Sequence, residues 1–134
     1  MLVLDTCALL DLAWARPFPP DARHQLDAAI QRRQALVPMI VAVEIAQKAW
    51  SGRLRLPDRP AQWFAAALRN FDLRELPFSA AVAFGAYNLP EPFHRDPADR
   101  LVVAQARIVD APILTCDRKI LAYAAAGHVA AIGY

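Results

Sequence analysis

The chain has 134 residues, enough for one hydrophobic core, and we expect residues 1–134 to form a single domain. Hydrophobic residues make up 57% of it, but no stretch without a charged side chain exceeds 15 residues, which is too short to span a membrane. The net charge of +2 gives a weak overall field, so any polyanion must be bound by locally placed charges, and the N-terminus lacks the positive leader of a signal peptide, which predicts a cytoplasmic protein.

Short apolar runs alternate with helical patterns along the chain. Residues 1–5 predict a buried strand, and residues 6–15 predict a helix that ends before a proline-rich turn. Asp21, Asp58, Ser79 and Asp96 are expected to cap later helices. The remaining predicted helices cover 21–33, 41–51, a segment from 58 past 68, 79–87, 96–109 and 118–126, and the remaining strands 35–37, 72–76, 113–116 and 129–132. This alternation predicts a three-layer α/β/α sandwich around a small parallel sheet of about five strands.

Four acidic residues lie where such a sheet would bring them together, namely Asp5, Glu44, Asp99 and Asp117. Asp5 and Asp117 directly follow predicted strands, whereas Glu44 and Asp99 lie on predicted helices. The functional crevice of a parallel α/β sheet lies at the carboxyl ends of its strands. We therefore expect the four carboxylates to converge if the strands that precede Asp5 and Asp117 are neighbours.

Converging carboxylates require neutralisation. Two of them about 5 Å apart repel by roughly 3 kcal/mol at an effective dielectric constant near 20. Four would raise the pKa of at least one member unless a cation is present. Mg²⁺ prefers oxygen ligands, and a metal-bound water is acidic enough to attack a phosphodiester. The acids therefore predict a divalent-metal hydrolase, with one or two ions.

Each acid also has a purely structural interpretation. Asp96 and Asp117 could cap helices, and Asp99 in a first turn would interact well with the helix dipole. Glu44 precedes Lys48 by four residues, a spacing that suits a helical ion pair. The recurrence of acids at strand ends and helix starts, rather than any single one, favours a shared site.

Several neighbours of the acids are candidate substrate ligands. Thr6 and Thr115 could donate hydrogen bonds to the carboxylates or to a metal-bound water. Arg100 and Arg118 follow Asp99 and Asp117, and bases that bracket acids suit a site for a metal and a polyanion. His94 could act as an acid, a base or a phosphate contact.

The two cysteines, Cys7 and Cys116, adjoin the first and last of these acids. A reducing compartment argues against a structural disulfide, and the sequence lacks the spacing of a zinc site. We expect both to be small buried residues.

Four segments together closely resemble the PIN domain, in particular the VapC toxins of bacterial toxin–antitoxin pairs. They are Leu4-Asp5-Thr6 with Ala8-Leu9-Leu10, Glu44-Ile45-Ala46 with Lys48 and Gly52, His94-Arg95-Asp96-Pro97-Ala98-Asp99-Arg100-Leu101, and Leu114-Thr115-Cys116-Asp117. The match follows the family's order over nearly the whole chain.

The resemblance implies an endoribonuclease that depends on Mg²⁺ or Mn²⁺, acts as a dimer, and is inhibited by a VapB-like antitoxin. Asp5, Glu44 and Asp99 match the family's three core acids, Asp117 matches the fourth, and Asp96 is an additional acid. Cys7 stands where His or Asn is frequent, and Val43 where Trp often precedes the Glu. These departures are expected to affect the choice of RNA more than catalysis.

Two rival functions remain open at this point. One is a metal-free ribonuclease that uses His94 for acid–base catalysis, although no second group of suitable pKa is evident. The other is a non-catalytic α/β interaction module that binds RNA or a basic peptide partner, with the acids as the ligands of the basic peptide.

Overall fold

A computed structural model describes all 134 residues and contains five strands and seven helices. The strands are β1 Leu2–Leu4, β2 Ala35–Pro38, β3 Arg74–Leu76, β4 Ile113–Thr115 and β5 Ala131–Gly133. The helices are α1 Thr6–Ala13, α2 Pro20–Gln31, α3 Met39–Trp50, α4 Pro60–Asn70, α5 Ala80–Ala86, α6 Pro97–Ile108 and α7 Arg118–Ala125. None of the helices has the length and apolar character needed to cross a lipid bilayer.

The strands form one parallel sheet in the order β3-β2-β1-β4-β5, which confirms the predicted fold class. β1 is central, and Val3 is in register with Leu36 on one side and Ile113 on the other. The chain therefore leaves β1 and β4 at the same edge of the sheet. Asp5 and Asp117, which follow these two strands, are brought to that edge by the register alone.

Side chains alternate between the two faces of the sheet and bury two separate cores. Leu2, Leu4 and Leu114 pack with α1, α2, α3 and α4 on one face. Val3 and Ile113 pack with α5, α6 and α7 on the other. β1 and β4, which carry these residues, are therefore buried on both faces, as expected for parallel strands covered by helices.

Two of the predicted helix caps are wrong. α2 begins at Pro20 and α4 at Pro60, and neither has a side-chain cap, so Asp21 lies in a first turn and Asp58 precedes its helix. Proline at the first helical position sets a helical φ and removes one unpaired N–H, so the helix starts without a capping carboxylate. The predicted Ser79 cap is confirmed, because its side chain accepts a hydrogen bond from Val82 N.

The predicted ends of several elements differ from the structure by one or two residues. α3 begins at Met39, immediately after β2, rather than at residue 41. α1 and α2 end earlier than predicted, because Ala15 and Arg33 adopt positive φ angles of 54° and 56° that stop the helices. The last strand is shifted from 129–132 to Ala131–Gly133.

A buried arginine organises the loop between α5 and α6. Arg100 is 5% exposed, and its guanidinium donates to Ala86 O at 2.8 Å, to Phe93 O at 3.2 Å and to His94 O at 3.1 Å. It also donates to Glu91 Oε1 at 2.8 Å. Its guanidinium is therefore occupied by acceptors at the end of α5 and in this loop, which disfavours the phosphate contact expected from the sequence. The contacts indicate a structural role for Arg100, because they fix the segment that carries His94.

We expect Arg100→Ala to lower the free energy of unfolding by about 2–4 kcal/mol, because it leaves one buried and two partly buried carbonyls without a donor and opens a cavity. Urea denaturation followed by circular dichroism would measure this. The matched control is Glu91→Gln, which removes the charge and one acceptor oxygen of an exposed side chain and should change stability much less. An Arg100→Ala protein as stable as Glu91→Gln would contradict the proposed anchoring.

Candidate active site

Asp5 stands at the centre of the site, between the end of β1 and the start of α1. Only 7% of the residue is exposed. Oδ1 accepts a hydrogen bond from Ala8 N at 2.8 Å and thereby caps α1, and Oδ2 accepts one from the Thr115 hydroxyl. Two donors therefore fix the orientation of this carboxylate before any ligand binds.

Thr115, the last residue of β4, connects two of the acids. Its Oγ1 donates to Asp5 and accepts a hydrogen bond from Asp117 N at 2.9 Å. Asp117 in turn caps α7, since its Oδ1 accepts from Lys119 N at 2.8 Å and from Ile120 N at 3.0 Å. One fully buried hydroxyl therefore ties the ends of β1 and β4 together.

Glu44 reaches the same edge from α3. It is half-buried, and its Oε1 accepts a hydrogen bond from the Thr6 hydroxyl at 2.6 Å. Because Thr6 directly follows Asp5 in the chain, this bond holds Glu44 beside Asp5. Both threonine hydroxyls therefore donate to carboxylates.

Asp99 enters from the first turn of α6. Asp96 caps this helix, with Oδ1 accepting from Ala98 N at 2.9 Å and from Asp99 N at 3.3 Å. Asp99 Oδ2 lies 3.1 Å from His94 Nε2. His94 Nδ1 accepts a hydrogen bond from Asp96 N at 3.3 Å, so in the neutral ring the proton is on Nε2, which is buried near Asp99 without a hydrogen-bond partner.

Electrostatics shows that the acids act on one another. Burial raises the pKa of Asp5 to about 6, against the hydrogen bonds from Thr115 and Ala8, and the charges of Glu44 and Asp117 add to the rise. Burial also raises the pKa of Asp99 to about 7, with further contributions, in order, from Asp117, Asp96, Glu44 and Asp5. The other four acids therefore all lie within electrostatic range of Asp99.

The donor set suits a hard dication, but it is not closed around one point. No group of three or more His, Cys, Asp or Glu side chains is arranged as a ready metal site. The available ligands are carboxylate oxygens, and their mutual repulsion is relieved by a positive charge. Mg²⁺ and Mn²⁺ suit oxygen ligands, and Mg²⁺ typically takes one or two direct carboxylates and keeps several waters, so hydrogen-bonded acids at this spacing fit such an ion.

The expectation that both cysteines are buried is wrong. Cys7 and Cys116 are free and exposed. On α1 the neighbours Thr6 and Ala8 face the interior, which turns Cys7 outward, and Cys116 lies just beyond the last residue of β4. Both thiols therefore border the acidic site from the solvent side.

The sequence interpretation missed an aromatic group next to the acids. Tyr123 was not singled out, although it is buried against Phe93 with a ring-centroid distance of 4.2 Å, and its hydroxyl donates to Pro90 O at 2.6 Å. Lys119, whose backbone N–H binds Asp117, was noted only as a flanking base. No spacing in the sequence relates residue 93 to residue 123, so only the fold could have revealed this group.

The sequence pattern of the PIN domain family matches residues 2–126. Among curated protein sequences, none matches the chain. Solved structures of similar fold do exist. A chain of VapBC2 from Rickettsia felis, bound to a DNA fragment from its promoter, has a TM-score of 0.71 at 14% identity, covering 98% of this chain and 97% of that one.

Two further structures have the same fold. FitAcB from Neisseria gonorrhoeae has a TM-score of 0.64 at 21% identity, covering 99% of this chain and 97% of that one. A toxin–antitoxin complex from Klebsiella pneumoniae has a TM-score of 0.61 at 19% identity, covering 89% and 88%. Because the sequence identities are low, these similarities show a shared fold and nothing more.

The chain belongs to the PIN domain family, because the family pattern spans most of its length and the fold agrees with it. PIN domains are generally nucleases. The acidic edge described above is the part of this chain on which such chemistry would depend.

The raised pKa values predict how stability depends on pH in the metal-free protein. An Asp titrates near pH 4 when unfolded, whereas Asp5 and Asp99 titrate near 6 and 7 in the folded chain. Between about pH 4 and pH 7 the folded state therefore binds more protons than the unfolded state. The stabilising contribution of these two groups is present below about pH 4 and is lost as the pH rises to about 7. One pKa unit corresponds to about 1.4 kcal/mol, so the effect is on the order of 3 kcal/mol for the buried Asp5, and solvent screening reduces it for the partly exposed Asp99.

Asp99→Asn should therefore be more stable than the parent at pH 8 in EDTA, with a smaller difference at pH 5. Urea denaturation at the two pH values measures this, and Asp21→Asn, at an exposed position of α2, is the matched control that should show no such trend. The interpretation fails if Asp99→Asn is less stable than the parent at both pH values.

Proposed function

We propose that this protein is a metal-dependent endoribonuclease toxin that hydrolyses RNA phosphodiester bonds and is neutralised by a cognate VapB-like antitoxin. The observation that carries the proposal is the convergence of acids from four separate segments, expressed in the raised pKa of Asp99 beside Asp5, Glu44, Asp96 and Asp117. Membership of the PIN family supports the nuclease activity.

In this proposal Asp5, Glu44, Asp99 and Asp117 are catalytic and hold Mg²⁺ or Mn²⁺, with Asp96 as a possible additional ligand. When bound, the ion supplies positive charge at the phosphate and lowers the pKa of a coordinated water. Asp5 is the best positioned direct ligand, because two hydrogen bonds hold it at the centre of the site.

The remaining residues orient the acids and the substrate. Thr6 and Thr115 hold Glu44 and Asp5 in place through their hydroxyls. Arg118 is exposed beside Asp117 and is free to contact a phosphate. His94, whose Nε2 lies 3.1 Å from Asp99 Oδ2, is the proposed acid, base or phosphate contact. For Arg100, positioning of the His94 segment replaces direct phosphate contact.

The proposed partners follow from the same reasoning. The structural neighbours include toxin–antitoxin complexes, which supports an antitoxin partner for this chain. Exposed large apolar side chains on α3, α5 and α6, including Trp50, Phe84 and Ile108, give the surface that a homodimer or an antitoxin would cover. The proposed site of action is the cytoplasm, where RNA is available.

Asp5→Asn should reduce cleavage of single-stranded RNA at least 100-fold while the protein stays folded, because the amide keeps the shape of the side chain but not its charge. Cleavage would be measured on labelled RNA with purified, antitoxin-free protein, with circular dichroism as a check on folding. EDTA should abolish the activity of the parent, and Mg²⁺ or Mn²⁺ should restore it.

The matched control is Asp21→Asn, which makes the same chemical change far from the sheet edge and should leave cleavage unchanged. Activity that survives EDTA but is lost in His94→Ala would instead favour the metal-free mechanism. Binding of RNA or of a basic peptide without any cleavage, at any metal concentration, would favour the interaction module.

A further inference from the structure

A mostly apolar cleft opens beside the acidic edge, between the loop before α6 and the outer side of α7. Its volume is about 420 Å³, within the range of small-molecule sites. Phe93, His94, Tyr123 and His128 contribute rings to its walls, and Ala122 forms part of its α7 side. Lys119 lines it as well, and no carboxylate does.

The four rings form a continuous row. The Phe93 ring centroid lies 4.4 Å from that of His94 and 4.2 Å from that of Tyr123. Tyr123 lies 4.7 Å from His128. The rings are tilted to one another by 39° to 54° and together make a polarisable wall. Aromatic side chains are the groups on which planar heteroaromatic bases stack.

The cleft adjoins the acidic cluster at two points. The Nε2 atom of His94, whose ring lines the cleft, lies 3.1 Å from Asp99 Oδ2. Lys119, on the opposite wall, donates its backbone N–H to Asp117 Oδ1 at 2.8 Å. A polymer with its phosphate at the acids would therefore reach the cleft with an adjacent residue.

The charges select among possible occupants. The only permanent charge lining the cleft is that of Lys119, and Arg118 is exposed next to it. A basic peptide would be repelled by these cations. A nucleic acid with one base in the cleft would instead bring its phosphates close to them. An apolar ring wall with cations beside it matches the chemistry of single-stranded nucleic acid sites.

We propose that this cleft is a subsite that stacks one unpaired base of single-stranded RNA, next to the phosphate held at the acidic cluster. The inference rests on the proposed nuclease function and adds to it the form of the substrate. Stacking on a ring wall accepts any base with a free face, so the subsite selects unpaired RNA more than a particular sequence.

The test measures binding rather than cleavage, with Asp5→Asn as the starting protein and Mg²⁺ present. Labelled single-stranded RNA is titrated by fluorescence anisotropy, together with a set of oligomers that carry one abasic residue at successive positions. We expect one position at which loss of the base weakens binding about tenfold. Ala122→Phe, added at an exposed position of α7, should fill the cleft and weaken binding of intact RNA by a similar factor.

The decisive comparison combines the two changes. Ala122→Phe should have little further effect on RNA that is abasic at the sensitive position, because the same contact is already missing. Ala65→Phe, at an exposed position of α4 away from the cleft, is the matched control and should bind like its parent. His128→Ala provides a second variant, with a smaller expected loss because it removes one ring.

Two results would overturn the inference in distinguishable ways. If the wild-type protein cleaves RNA but neither the abasic scan nor the cleft variants alter binding, the subsite is refuted and the nuclease proposal stands. If the protein neither cleaves nor binds single-stranded RNA, the proposed function fails, and the subsite fails with it.

Discussion

The burial of several carboxylates together at one edge of the sheet is the constraint to which the rest of the site responds. Asp5 and Asp99 are held where burial and neighbouring acids raise their pKa values. Such an arrangement lowers the stability of the folded state at neutral pH, and it persists only because the surrounding structure enforces it. The enforcement is visible in the two threonine hydroxyls and in the backbone N–H groups at the starts of α1, α6 and α7.

Three of the acids are helix caps as well as members of the cluster. Asp5, Asp96 and Asp117 each accept hydrogen bonds from the N-terminal N–H groups of a helix. The structural and functional interpretations of these residues are therefore compatible. Capping uses Oδ1 in each case, which orients the carboxylate without using all of its lone pairs. The second oxygen accepts no capping hydrogen bond, and in Asp5 it accepts one from Thr115.

The sequence predicted the fold class and the main elements because their signals are local. Apolar runs before Asp5 and Asp117 marked the central strands, and Pro97 after Asp96 marked the start of α6. The caps at Asp21 and Asp58 were wrong because Pro20, one residue before Asp21, and Pro60, two residues after Asp58, set the helix starts. The exposure of Cys7 and Cys116 also escaped prediction, since it depends on how α1 and the end of β4 turn relative to solvent, which no local pattern specifies.

The candidate site residues also fall into two groups, those whose positions local sequence signals predict and those whose positions depend on the fold. That Asp5 and Asp117 lie together follows from strand order, a step that the sequence could state only as a condition. The buried environment of Arg100 could not be foreseen, because its partners Ala86, at the end of α5, and Glu91, in the loop that follows, precede it by 14 and 9 residues. A charged residue next to an acid suggests a phosphate ligand in sequence, but the fold uses this one to shape the loop that carries His94 and Phe93. The same loop therefore places His94 beside the acidic edge and Phe93 in the wall of the adjoining cleft. The buried guanidinium of Arg100 holds both residues in position.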